Sequence, residues 1–312
     1  MIHRHQVAIC LAALALGATV GLLAPSVDGP ATAAIDPLLV ALLYATFLGI
    51  PFGRIGRAIG DWRFLSAVLV VNFVAVPIVA FALSRIVAHD RALLVGVLFV
   101  LLAPCVDYVI VFSGLAGGAT DRLLVAATLL MLVQLILLPG YLWLFVGADV
   151  ASKIDVAPFV RAFVFIIVAP MVLAGLTQWV ATHTRSGRRV ERVVADAMVP
   201  IMALTLVVVV ASQISAVRDE FSSLVIVVPV FALFAVVMVP IGMGVGRLAG
   251  LDTPSVRSVV FSGVTRNSLV VLPLVLALPT AFGPAPLVVV TQTVVELVVM
   301  VTMVRVIPRL IA

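Results

Sequence analysis

The sequence predicts an all-α membrane protein of about ten transmembrane helices, arranged as two inverted five-helix repeats. Three observations predict it. Hydrophobic residues make up 64% of the 312 and charged residues 11%, with a mean hydropathy of +1.34, whereas a soluble domain carries about 25% charge. The apolar residues fall in long runs separated by short basic segments. Two of those runs, 92–118 and 256–278, are interrupted half-way by polar residues and proline. This much apolar surface exceeds what a globular core can hide, so the bilayer is expected to be the solvent.

On a helical reading the spans fall at about 7–24, 37–51, 64–87, 92–116, 122–146, 159–182, 197–216, 222–246, 256–278 and 285–307. The first run follows His3-Arg4-His5 and precedes Ala31-Thr32-Ala33-Ala34, the outline of a cleavable signal sequence. An apolar stretch of about 18 residues is long for such a core, and span parity requires it, so a retained first span is expected. The second run is short and is expected to lie tilted or packed against neighbours. Thr182 to Asp196 is the longest hydrophilic stretch, and its arginines read as a solvated inner loop.

Basic residues give the orientation. With the N-terminus inside, thirteen arginines fall on the inner side, from Arg4 through the Arg185–Arg192 cluster to Arg309. Arg85, Arg91, Lys153, Arg161 and Arg218 fall outside. This bias predicts a multi-pass plasma-membrane protein with both termini cytoplasmic. It also accounts for the sequence pI near 10 without nucleic acid.

Five spans per half imply inverted repeats, 1–156 and 157–312. A shift of the first half by about 162 residues lays Pro104 on Arg266 and Gln134 on Glu296, which matches two interruptions at equivalent depth.

Few polar side chains remain within the spans. Pro104-Cys105-Val106-Asp107 breaks the fourth, and Ser262 to Ser268 breaks the ninth. Proline removes a backbone donor and clashes with the preceding turn. An ionisable group at mid-depth costs on the order of 3 kcal/mol on insertion scales. Paired, interrupted segments in matching halves point to the binding site of a secondary transporter. Asp107 and Glu296 are the acids farthest from any loop and Arg266 the one base inside a span, so Arg266 is expected near Asp107, Glu296 or both. These three are the coupling candidates, against a purely structural ion pair. Cys105, in the break, is either a small hydrophobe or a thiol ligand for a thiophilic species. Cys10 reads as packing only. Thr265, Asn267 and Ser268 join Cys105 as substrate-binding candidates, the last two as caps of a half-helix. Asn72 with Pro77, Gln134, and Thr291, Gln292 and Thr293 are supporting polar positions that either line a cavity or bond neighbouring helices. Gly242, Gly244 and Gly246 fit helix packing. No Walker motif, zinc spacing or nucleophile elbow occurs, so no enzyme, cofactor or metal is expected.

Leu102-Ala103-Pro104-Cys105 resembles the fourth span of the arsenite efflux carriers of the bile acid/sodium symporter superfamily. Val295-Glu296-Leu297-Val298 is similar to their acid-containing last span, and Asn72 with Pro77 to their third. Arg266-Asn267-Ser268 is closer to the Gln-Asn-Ser of the sodium/bile acid branch. The resemblance implies a core domain on crossed fourth and ninth helices, a panel domain and alternating access. For the arsenite branch it implies that Cys105 takes part in moving trivalent arsenic out of the cell.

The sequence departs from both branches. The acid that helps bind sodium falls on Ser262, its glutamine on Arg266, and the fourth-span Ser-Asn ligands on Val109 and Ile110. The ninth-span acid of the arsenite branch falls on Ser268. Arg266 and Asp107 are extra. The expectation is that Arg266 fills the space of sodium with Asp107 as counter-ion, that efflux is sodium-independent, and that a proton on Asp107 or Glu296 couples it. The rival substrate is an organic anion held by Arg266. A non-transporting receptor or scaffold would leave the buried charges unexplained. The partners expected are a small inorganic or small-molecule substrate and the lipid bilayer; the oligomeric state is open.

Overall fold

A computed structural model describes residues 6–24, 28–49, 61–105, 108–147, 160–161, 163–219 and 224–311. Among them run twelve helices and no strand. They are α1 (Gln6–Leu23), α2 (Asp28–Gly49), α3 (Trp62–Val87), α4 (Arg91–Leu101), α5 (Tyr108–Leu115) and α6 (Thr120–Val146). Then come α7 (Phe163–His183), α8 (Arg185–Asp219), α9 (Val227–Leu248), α10 (Thr253–Val264), α11 (Ser268–Leu276) and α12 (Ala285–Leu310).

Six segments are each long and apolar enough to cross a membrane: Gly29–Gly49, Trp62–Val87, Phe163–His183, Arg185–Ser212, Val227–Leu248 and Ala285–Leu310. A seventh counts if the bent pair Thr120–Gln134 and Ile136–Val146 is one span. The protein is therefore a multi-pass membrane protein. The fourth and ninth runs are not single helices. With 11, 8, 12 and 9 residues, α4, α5, α10 and α11 rise about 1.5 Å per residue. Each therefore reaches roughly half of the ~30 Å hydrocarbon core.

Two expected boundaries are corrected. The second helix begins at Asp28, nine residues before the expected start, with Pro37 inside it. The basic stretch is not a loop: α8 begins at Arg185 and carries the arginines on its first turns. Arginine is a good helix former, and the single extended residue Thr184 separates α7 from α8.

The chain divides into two compact units, each drawing on both sides of residue 156. The first comprises Met1–Ile50, Asp155–Ser222 and Leu272–Leu278. In it α1, α2 and α7 pack on α8. Gly17 and Gly21, one turn apart, face the carbonyls of Val207 and Ala211; a Cβ would come within 2.6 and 2.4 Å of those oxygens. Small residues at this spacing let membrane helices approach closely. The Tyr44 and Thr177 hydroxyls meet at 2.9 Å, and Gln178 Nε2 donates to Leu48 O at 2.8 Å.

The second unit comprises Pro51–Ile154, Ser223–Val271 and Pro279–Ala312. Its helix α3 widens to π-helical pitch over Val71–Ala75, just before Pro77. Pro77 has no N–H for Phe73 O, and the Tyr141 hydroxyl donates to that oxygen instead, at 2.6 Å. The Asp90 carboxylate caps α4 through the N–H groups of Ala92 and Leu93. Gly96 lets α4 lie against α12, where a Cβ would stand 2.8 Å from Val288 Cβ. Gly242 and Gly246 seat α9 on Val260 and Val256 of α10, while Gly244 faces open space.

Candidate functional site

The side chains that form the network below belong to the second unit. Where α4 stops before Pro104, Leu98 O and Val100 O still accept from Leu102 and Ala103 N–H, but Leu101 O is left to a donor from outside the helix. Where α10 stops at Val264, the same happens at Ser262 and Gly263. The two breaks resolve this together. Pro104 and Arg266 pair as an isolated antiparallel bridge, and Asn267 N–H donates to Ala103 O at 2.8 Å. The residue before a proline favours extended backbone, and Thr265 is extended too, at φ −80° and ψ 139°. Asn267 Oδ1 then accepts from Val270 N–H at 3.2 Å, capping α11 as expected.

Arg266 stands at the centre, 1% exposed. Its Nη1 donates to Leu101 O at 3.2 Å. Its Nη2 donates to Ser262 O at 2.6 Å, Asn72 Oδ1 at 2.9 Å and Gly263 O at 3.0 Å. The guanidinium thus takes three carbonyls that the two breaks leave open. Its Cζ lies 5.6 Å from the Phe234 ring centroid, a cation–π contact. Asn72 is placed by the π-helical turn of α3, and its Nδ2 donates to Val68 O and to Ser262 Oγ.

Glu296 lies beside Arg266, where one of the two acids was expected, but its carboxylate meets the backbone and not the guanidinium. Glu296 Oε1 accepts the backbone N–H of Arg266 at 3.0 Å, while Oε2 accepts from Gln292 Nε2 at 2.9 Å. Neither ion pair among the described residues includes Arg266. The reason lies in the backbone: the break turns the Arg266 N–H towards α12, while its side chain runs back along α10 to the freed carbonyls. Asp107 lies outside the described residues, as does the side chain of Cys10. The Ser268 hydroxyl donates to Gln292 Oε1, which extends the chain Ser268–Gln292–Glu296. Thr265 and Cys105 are buried beside the bridge, and the Thr265 hydroxyl donates to Phe261 O at 2.7 Å.

Other predicted positions lie apart from this network. Gln134 is buried, and its Oε1 has no partner among the described residues. Thr291 and Thr293 bond carbonyls of their own helix. Sequence reasoning missed a second polar group. Arg257 donates to Ala116 O at 3.1 Å and Ile311 O at 2.7 Å, tying the ends of α5 and α12, beside the Ser113–Ser258 hydroxyl pair. Arg122 pairs with Asp61 and Asp252. Their signal was faint, because arginines at helix ends read as topology alone.

Residues 36–220 match the sequence model described as Sodium Bile acid symporter family. The chain belongs to that family. No curated protein matches it. As a member of the sodium bile acid symporter family the chain is a membrane transporter of that type. The break at 104 and the site residues Asn72, Cys105 and Gln134 lie inside the matched segment; Arg266 and Glu296 lie beyond it.

Proposed function

We propose that this transporter is a sodium-independent secondary carrier that exports arsenite across the plasma membrane and is coupled to protons. Antimonite is an expected second cargo. Under this reading ten passes form two inverted repeats, 1–156 and 157–312, with broken fourth and ninth passes and both termini cytoplasmic. The observation that carries it is the Pro104–Arg266 bridge, with the Cys105 thiol next in chain and a buried guanidinium across the break.

Carriers of broken-helix design use unwound carbonyls and the C-terminal ends of half-helices to hold a coupling cation. Here Leu101 O, Ser262 O, Gly263 O and Asn72 Oδ1 hold Arg266 instead. A guanidinium stays charged and cannot leave, so it supplies the positive charge permanently and repels a second cation. The same hydrogen bonds weigh against an organic anion on Arg266, because the guanidinium is turned into the protein. Trivalent arsenic is thiophilic, and Cys105 supplies a soft ligand. Glu296 supplies a proton-dependent contact. Both its oxygens accept N–H bonds, so a proton on either would set O–H against N–H and release α12 from the break.

Uptake of arsenite into everted vesicles tests this. An imposed pH gradient should drive accumulation, with sodium and choline salts equivalent. Accumulation that follows sodium and ignores the pH gradient would overturn the coupling. Carboxylate uptake without arsenite uptake would overturn the substrate.

A further inference from the structure

The basic start of α8 has a place of its own in the first unit. Helix α7 ends at His183, the chain reverses at Thr184, and α8 runs back alongside it. The two helices touch at Gly187, where a Cβ would sit 2.7 Å from Ala181 Cα. That contact fixes the level of Arg185, Arg188, Arg189 and Arg192 against the last turns of α7. Trp179 lies on those turns, 64% exposed, its ring 5.0 Å from that of His183. Exposed tryptophans at the end of an apolar span sit at headgroup level. The four arginines therefore project at that level rather than into bulk water.

All four are exposed, with Glu191 the one acid among them. No ion pair among the described residues uses them. Arg188 Nη1 donates to Ala181 O and Arg192 Nε to Arg188 O, two bonds against the five N–H donors that each guanidinium carries. Val190 and Val193, next to these arginines in the chain, are 45% and 59% exposed, an apolar surface suited to acyl chains beside a cationic one. Clusters of four or more arginines at the end of a membrane helix attract acidic lipid, and guanidinium forks match phosphate oxygens.

We propose that the α7–α8 turn is a docking surface for the headgroups of anionic phospholipids, held by Arg185, Arg188, Arg189 and Arg192 and flanked by Trp179. The site is separate from the transport reading above and does not depend on the cargo.

The built-in reporter is Trp179, in a background with Trp62 and Trp143 replaced by Phe. The protein is reconstituted with brominated phosphatidylglycerol or brominated phosphatidylcholine, and quenching is compared. Phosphatidylglycerol should compete for the Trp179 surface about tenfold more effectively, since each arginine near the surface adds attraction. R185Q/R188Q/R189Q/R192Q should bring the two lipids to parity, whereas R305Q/R309Q on α12 should not. If the fourfold variant is not produced, R185Q/R189Q should show an intermediate preference. Equal quenching in the parent, or an unchanged preference in these variants, overturns the proposal. So does loss of the preference on adding inorganic phosphate at constant ionic strength, which would assign the surface to free phosphate.

Discussion

Replacing Arg266 by glutamine tests the tethered-cation reading most directly. The change removes the four side-chain contacts to Leu101 O, Asn72 Oδ1, Ser262 O and Gly263 O. A hydrogen bond from a charged donor is worth about 1.5–3 kcal/mol. The loss is offset because a buried charge no longer has to be desolvated. The shorter amide still reaches one or two of the oxygens. A net destabilisation on the order of 3 kcal/mol is expected. The oxygens left open then form a neutral cage of the kind that binds an alkali cation. Sodium at ten times its Kd would restore about 1.4 kcal/mol by mass action. The assay is thermal unfolding of purified protein in detergent, in sodium chloride against choline chloride at equal ionic strength. The parent should be indifferent to the cation, and Arg266→Gln should melt lower and be raised by sodium. A variant as stable as the parent, or one equally indifferent to sodium, would refute the reasoning.

Four further outcomes follow from the same geometry. Cys105→Ser should abolish arsenite resistance in a sensitised host while surface expression, measured by blotting of membranes, stays at the parental level. Glu296→Gln keeps one acceptor for the Arg266 N–H but sets an amide donor against Gln292 Nε2. Transport should lose its pH dependence, measured in everted vesicles, with a stability loss of about 1–2 kcal/mol. Gly96→Ala places a Cβ 2.8 Å from Val288 Cβ and should cost roughly 1–3 kcal/mol by overpacking, read as a lower melting temperature. Asp252 is held below the usual carboxylate range by the Ser255 hydroxyl and the Arg122 guanidinium. Its contribution is therefore full above about pH 4 and fades as pH falls through the lowered value. Being half-exposed, the pair is worth at most about 1 kcal/mol; Asp252→Asn should flatten the acid limb of a pH–stability curve, and high salt should do the same.

How much of this was legible in the chain varies by residue. The breaks were, because Pro104 has no N–H and Arg266 cannot rest alone in an apolar run. Asn72 was visible as a polar residue before Pro77, and Asn267 as a cap. The partners of Arg266 were not. A sequence displays side chains, so it suggested a carboxylate, yet three of the four groups that hold the guanidinium are backbone carbonyls, which every residue possesses. The arginines after His183 were misjudged for a related reason: charge marks the end of the apolar span, but not whether the backbone goes on as helix.

The sequence by itself determined that this protein lives in a bilayer and that two of its apolar runs break half-way along. Both follow from local chemistry: apolar runs longer than a core needs, and a missing donor or an unshielded charge within them. Only the tertiary structure decided which orphaned carbonyls meet which donors. That choice depends on how two half-helices from distant parts of the chain align, and backbone atoms carry no residue-specific mark by which the alignment could be read in advance.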